Sequence, residues 1–451
     1  MNFIRFFIII SILIAVIIND LSFTVILLLI VNALLLCVFT VRHPLNRNYA
    51  KYMVLFIIWI SVIFMPGLHL VAPIMEGYEE VTPKWDAELL NFGAPLSCIV
   101  SFIMIMLAAK QKNSKIDKIN PHPKTINRSW IEILTVISIL LSLFSYATGL
   151  GRMGGEQIQL PFHLSGIINI YRWTLFPMLF AVFVENQLFL GKKIPSRIYL
   201  LFFVWCIVEI FAWMSKSVFI YHILPLVGIL FLCYKPSWKK VQKYVLIVLV
   251  PFILLYPIIE IMRASDSRES IADSFTSARE QAKEESVNNQ LLKPINRTFM
   301  FGAQFVQNNS YINTNQLFDF KNVPLLVLSG GAAGFQTFVI DQYPDGAIHS
   351  SGSSGLMDPL LHGGIGFMYI VVVLLCLVAA FVDKLLIEGV YSIAVILILR
   401  LFDWTAMLNV SSLYDSSGLQ TLLVELLCIF IAYRINFKSN SRSLVTQELT
   451  T

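Results

Sequence analysis

Twelve apolar runs of roughly 17 to 23 residues make up most of this 451-residue chain. They lie near residues 3–19, 21–41, 52–73, 89–109, 130–150, 168–188, 198–214, 218–234, 244–262, 363–383, 389–409 and 418–435. A helix rising ~1.5 Å per residue needs about 20 such residues to cross a hydrocarbon core of ~30 Å. Lipid offers the backbone no hydrogen-bond partner, so runs of this length fold as spanning helices. The expectation is an all-α polytopic membrane protein of about twelve transmembrane helices. The stretch 198–234 is interrupted only by Ser215, Lys216 and Ser217, but it is too long for one crossing and is read as two helices.

Composition agrees: 57% of residues are hydrophobic and 14% charged, outside the range of soluble domains. The net charge of +5 does not point to nucleic acid, because the basic residues fall in short clusters between apolar runs. Clusters around Arg42–Lys51, Lys110–Arg128, Lys192–Arg197, Lys235–Lys243 and Arg434–Arg442, with Arg5 and Lys384, hold 21 of the 33 lysines and arginines, all on one side of the expected topology. The positive-inside rule makes that side cytoplasmic, with both termini there. The apolar N-terminal stretch after Arg5 lacks a small-residue cleavage site and is read as a retained first helix. All six cysteines lie in apolar runs with no CxxC pair, so neither a disulfide nor a metal site is expected from them.

Helices 1–9 are thus expected over 1–262, a large outer loop over 263–361, helices 10–12 over 362–435 and a cytoplasmic tail over 436–451. A loop of close to 100 residues is usually functional. Within it, Ile271, Phe275, Ala278 and Ala282 recur at helical spacing among charges, which predicts an amphipathic surface helix, and another is expected to begin after Pro294. Seven basic against ten acidic residues leave the loop at about −3, so any anion site there must rest on a few placed arginines.

Ionisable side chains in or beside spans are costly and suggest function by default. Arg172, Glu209, Lys216, His222, Glu260, Arg263, His362, Arg400 and Asp403 all fall toward the expected outer ends, whereas Glu185, Asp383 and Glu388 sit at inner ends as ordinary boundary residues. Each outer residue also has a plainer reading. Arg400 and Asp403, three apart, can neutralise each other. Glu260 and Arg263 can form a similar pair, and Lys216 can snorkel to the headgroups. His222 can be a packed, hydrogen-bonded residue, His362 can mark the interface, and the nearby glycines can serve close helix packing.

The stretch GRMGGEQIQLPFHLSGIINIYR at 151–172, the passage HSSGSSGLMDPLLHGGIGFMYI at 349–370 and the twelve-span plan with one large late outer loop resemble the bacterial O-antigen polymerase (Wzy) family, related to the O-antigen ligases. Ligases tend to carry His-Asn where this chain has His349 followed by Ser350. The resemblance implies a glycosyltransferase in the bacterial inner membrane, working at its outer face without a metal or other cofactor. Its substrate would be an oligosaccharide on undecaprenyl diphosphate, with a chain-length regulator and a flippase as possible partners.

On that resemblance, Arg263 and Arg297 stabilise charge developing on the diphosphate and His349 serves as base or orients the acceptor. Arg172, Arg400, Arg152 and Lys216 contact diphosphate or sugar, and Asp358 and His362 line the membrane boundary where the substrate is presented. The competing classes are a ligase-like transferase, a membrane acyltransferase, and a transporter or flippase. Transporters commonly show repeated halves, and no internal repeat is evident here.

Overall fold

The structure is a computed structural model that describes residues 21–64, 83–113, 128–150, 160–161, 164–213, 219–234 and 357–402, with Leu427 and Phe430. Among these residues every regular element is helical. They are α1 (Phe23–Arg42), α2 (Tyr49–Phe64), α3 (Pro83–Asn113), α4 (Arg128–Thr148), α5 (Leu164–Phe189), α6 (Ser196–Trp213), α7 (Leu224–Tyr234, continuing a wide turn Phe219–Ile223), α8 (Met357–Glu388) and α9 (Tyr391–Phe402). Six of them are long and apolar enough to cross a membrane: α1, α3 from Leu90, α4, α5, α6, and α8 from Gly364. The protein is a helical membrane protein. The expected spans near 3–19 and 244–262 and the surface helices of the large loop lie outside the described residues, and of the span near 418–435 only Leu427 and Phe430 are described.

The outward faces carry the same message. On α1 the buried positions Val25, Leu29, Asn32, Ala33, Leu36 and Phe39 recur every three or four residues, while the exposed face shows Phe23, Leu27, Leu34 and Val41. On α4 the pattern is inverted relative to a soluble helix. Thr135, Ser138, Ser142 and Ser145 point inward, and Ile133, Ile137, Leu140 and Phe144 point out. A polar stripe inside and an apolar one outside fits a helix whose solvent is lipid, where hydroxyls must find partners within the protein.

The chain divides into two compact units. In one, α1 packs on α3, and α8 packs on α2 and α3. In the other, α4 packs on α6 and α5, and α7 packs on α5 around a core that includes Phe176, Phe180, Phe202, Trp205 and Cys206. α9 is divided between the units after Ile396. Within 198–234 the described helices are α6 and α7, and the expected break at Ser215, Lys216 and Ser217 lies outside the described residues.

Three π-helical turns are present among the described residues, and each stands in the same register to a proline. Ile60–Phe64 precedes Pro66, Tyr171–Leu175 precedes Pro177, and Phe219–Ile223 precedes Pro225, in each case by one intervening residue. Proline lacks an N–H and its ring collides with the carbonyl four residues back. Widening the preceding turn to i→i+5 bonding relieves that collision.

Two boundaries differ from expectation. α3 begins at Pro83 rather than near 89, because proline is well suited to the first helical position, where its missing N–H costs nothing. α8 begins at Met357, so Asp358 and His362 belong to a helix rather than to the end of the loop. The helix breaks at Gly364, whose φ of 77° and ψ of −176° are open to glycine and strained for other residues.

Candidate functional site

Near the C-terminal ends of α4 and α6 the second unit buries an ion pair with α5. Glu209, near the C-terminal end of α6, is wholly buried. Its Oε2 accepts from Arg172 Nε at 3.1 Å and Nη2 at 3.0 Å, and from the hydroxyl of Ser142 on α4. Its Oε1 accepts from Trp213 Nε1 at 2.6 Å, one turn along α6. The Arg172 Cζ lies 5.5 Å from the centre of the Trp213 ring, within cation–π range.

Arg172 is also wholly buried and occupies the π turn of α5. With Nε and Nη2 held by Glu209, its Nη1 has no hydrogen-bond partner among the described residues. Ser145 Oγ, one turn along α4 from Ser142, and Asn169 Oδ1, one turn along α5 from Arg172, are likewise buried without partners among the described residues. Aromatic rings enclose the pair: Trp173 lies 4.9 Å from Trp213, 5.2 Å from Tyr221 and 5.3 Å from His222, centre to centre. His222 is buried in the π turn before α7, and its Nε2 stands 3.4 Å from the Arg172 carbonyl oxygen. A buried guanidinium with one edge fixed by a carboxylate and another unspent is suited to receive an oxyanion bidentately.

Two further buried carboxylates are structural. Asp383 on α8 accepts from the backbone N–H groups of Ala50 at 2.8 Å and Lys51 at 3.2 Å, capping the first turn of α2. It also accepts from Lys51 Nζ at 3.0 Å, whose other hydrogens go to Asn48 Oδ1 and Gln111 Oε1. Glu185, near the end of α5, does the same for α9: it accepts from Tyr391 N at 2.6 Å, Ser392 N at 3.2 Å and the Ser392 hydroxyl. Reading Glu185 and Asp383 as ordinary boundary residues is therefore corrected, since both are buried and each caps a helix distant in sequence. Every donor of the Lys51 ammonium is spent inside the protein, which gives that pair a locking role and no open valence.

Of the residues singled out in the sequence, the structure brings together Arg172, Glu209 and His222. His222 takes the packed, hydrogen-bonded position. Glu209 had no assigned role, although its need for a partner was a signal in itself, because a lone carboxylate inside a span must find a cation. Arg400 lies on the part of α9 that belongs to the other unit, and only the helical backbone is described at Asp358 and His362. Arg152, Lys216, Arg263, Arg297 and His349 lie outside the described residues, as do Glu260 and Asp403. Compared with known proteins, the chain matches no family model, no curated protein and no solved structure.

Proposed function

We propose that the protein is a glycosyltransferase that polymerises lipid-linked oligosaccharide repeat units at the outer face of a bacterial inner membrane. In this reading the chain crosses twelve times with both termini in the cytoplasm, and the 263–361 loop and the Arg172 end of the second unit face outward. The glycan of one undecaprenyl-diphosphate-linked unit is transferred to a hydroxyl of another. The acceptor oxygen bonds to the anomeric carbon, the bond from that carbon to the diphosphate breaks, and undecaprenyl diphosphate leaves with the electron pair. The hydroxyl proton passes to a base, a role given to His349.

The observation that carries the proposal is the Arg172 guanidinium, buried, oriented by Glu209 and with Nη1 unspent among the described residues. A diphosphate leaving group is already a weak base, so the main demand on the protein is stabilisation of negative charge, which a preorientated arginine supplies. Arg263, Arg297 and Arg400 share the diphosphate in this scheme. Arg152 and Lys216 contact sugar or phosphate, and Asp358 and His362 border the point of entry.

The test is purified protein in proteoliposomes supplied with lipid-linked repeat units. Glycans of two or more units appearing with equimolar release of undecaprenyl diphosphate support the proposal; unchanged single units overturn it. A flippase is the second reading, favoured by the ion pair buried in each unit, Lys51–Asp383 and Arg172–Glu209. It predicts movement of intact single units across the same vesicles with no new glycosidic bond.

A further inference from the structure

The Arg172 carbonyl is in an unusual position. In the π turn the Phe176 N–H bonds to the Tyr171 carbonyl, five residues back. The next bond in that register would join the Arg172 carbonyl to residue 177, which is a proline without an N–H. The Arg172 carbonyl is thus orphaned by the sequence in a buried place, where an unpaired carbonyl is costly. His222 Nε2 approaches it at 3.4 Å from the neighbouring helix. The His222 ring is itself fixed by Trp205, at 4.8 Å, and by the edge-on Trp173, at 5.3 Å.

The alternative register moves the defect. If the turn closed to ordinary i→i+4 bonding, the carbonyl facing Pro177 would be that of Trp173, and the Arg172 carbonyl would take the Phe176 N–H. The closed register orphans only the Trp173 carbonyl but meets the Pro177 ring collision, whereas the π register avoids the collision and leaves the Arg172 carbonyl, with a second where i→i+4 bonding resumes, dependent on outside donors. One residue of register corresponds to about 100° of rotation, enough to swing Arg172 and Leu164–Ile170 away from Glu209.

We propose that His222 is a positioning residue for Arg172 that acts through the backbone. By donating Nε2–H to the Arg172 carbonyl it selects the π register of α5, and that register presents the guanidinium to Glu209 with Nη1 left over. Glu209 fixes the side chain and His222 fixes the turn that carries it. The inference concerns the geometry of α5; its consequence for catalysis rests on the proposed role of Arg172.

The experiment measures the distance between spin labels at Leu140→Cys on α4 and Ile167→Cys on α5, both outward-facing, in protein whose six native cysteines are replaced. A helix is about 10–12 Å across with its side chains, so a 100° rotation moves the label on the order of 5–10 Å. His222→Leu is expected to shift the distance by that order. His222→Gln, whose amide N–H can replace Nε2–H, keeps the wild-type value. In Pro177→Ala the missing N–H is restored, so adding His222→Leu causes no further shift. An unchanged distance in His222→Leu, or an equal shift in His222→Gln, overturns the inference. Should His222→Leu fail to accumulate, recovery in Pro177→Ala/His222→Leu supports it and failure there too overturns it. Polymer formation is scored in parallel: a shifted distance with polymer intact leaves the positioning role standing and removes Arg172 from the chemistry.

Discussion

At the residue scale, the cost of breaking the Arg172–Glu209 pair differs sharply from the cost of trimming it. Glu209→Ala strands a buried guanidinium, which costs about 3–5 kcal/mol. Ser142→Ala removes one of several donors to the carboxylate and costs about 0.5–1.5 kcal/mol. Thermal unfolding of the detergent-solubilised variants is expected to rank them in that order; equal melting points would refute the pairing. Glycines provide a second contrast. A Cβ at Gly93 would lie 2.9 Å from Val62 Cβ and 3.0 Å from its carbonyl carbon, whereas one at Gly166 would meet nothing within 4 Å. Gly93→Val is therefore predicted to lower stability by about 1–3 kcal/mol through overpacking. Gly166→Ala is predicted to raise it by up to about 1 kcal/mol through helix propensity, read in the same assay. Arg172 and Glu209 were each legible in the sequence as charges inside spans, but their pairing was not, because 37 residues separate them and no local periodicity links them.

At the element scale, the inward polar stripe of α4 and its apolar outward face predict opposite tolerances. Leu140→Arg places a charge in lipid at a cost of about 2.5–3.5 kcal/mol on insertion scales, and should sharply reduce membrane-inserted protein in a quantitative blot. Ser138→Ala, which loses a contact with the Tyr171 hydroxyl at 3.1 Å, should leave that amount near wild type. The inter-helix caps give another test. Asp383→Ala strands the buried Lys51 ammonium and uncaps α2 and should abolish accumulation, while Lys51→Met with Asp383→Asn recovers it, because the charge is removed and the amide oxygen still accepts from the first turn of α2. The six helices long enough to cross a membrane could be read from apolar run length, and the prolines that set the π turns are visible once their common register is noticed. The caps could not be read, since Glu185 and Asp383 act on helices 206 and 332 residues away. Nor could the early start of α8, because HSSGSSGLMDPLLHGG carries the small and turn-forming residues of a loop.

At the scale of the whole molecule, the two units place buried charge differently. In the first, every hydrogen of the Lys51 ammonium is spent on Asn48, Gln111 and Asp383. In the second, the guanidinium keeps an edge unspent among the described residues. The first arrangement locks helices together, and the second keeps a donor edge that can still bind. The most direct measurement is a gel of surface polysaccharide from cells lacking the protein, complemented with wild type or with Arg172→Met/Glu209→Gln. That double variant removes both charges while keeping an acceptor for Trp213 and Ser142, so it should accumulate. The double variant is expected to yield single repeat units where wild type yields a ladder; a full ladder from a normally accumulated double variant would contradict a role for Arg172 in polymerisation.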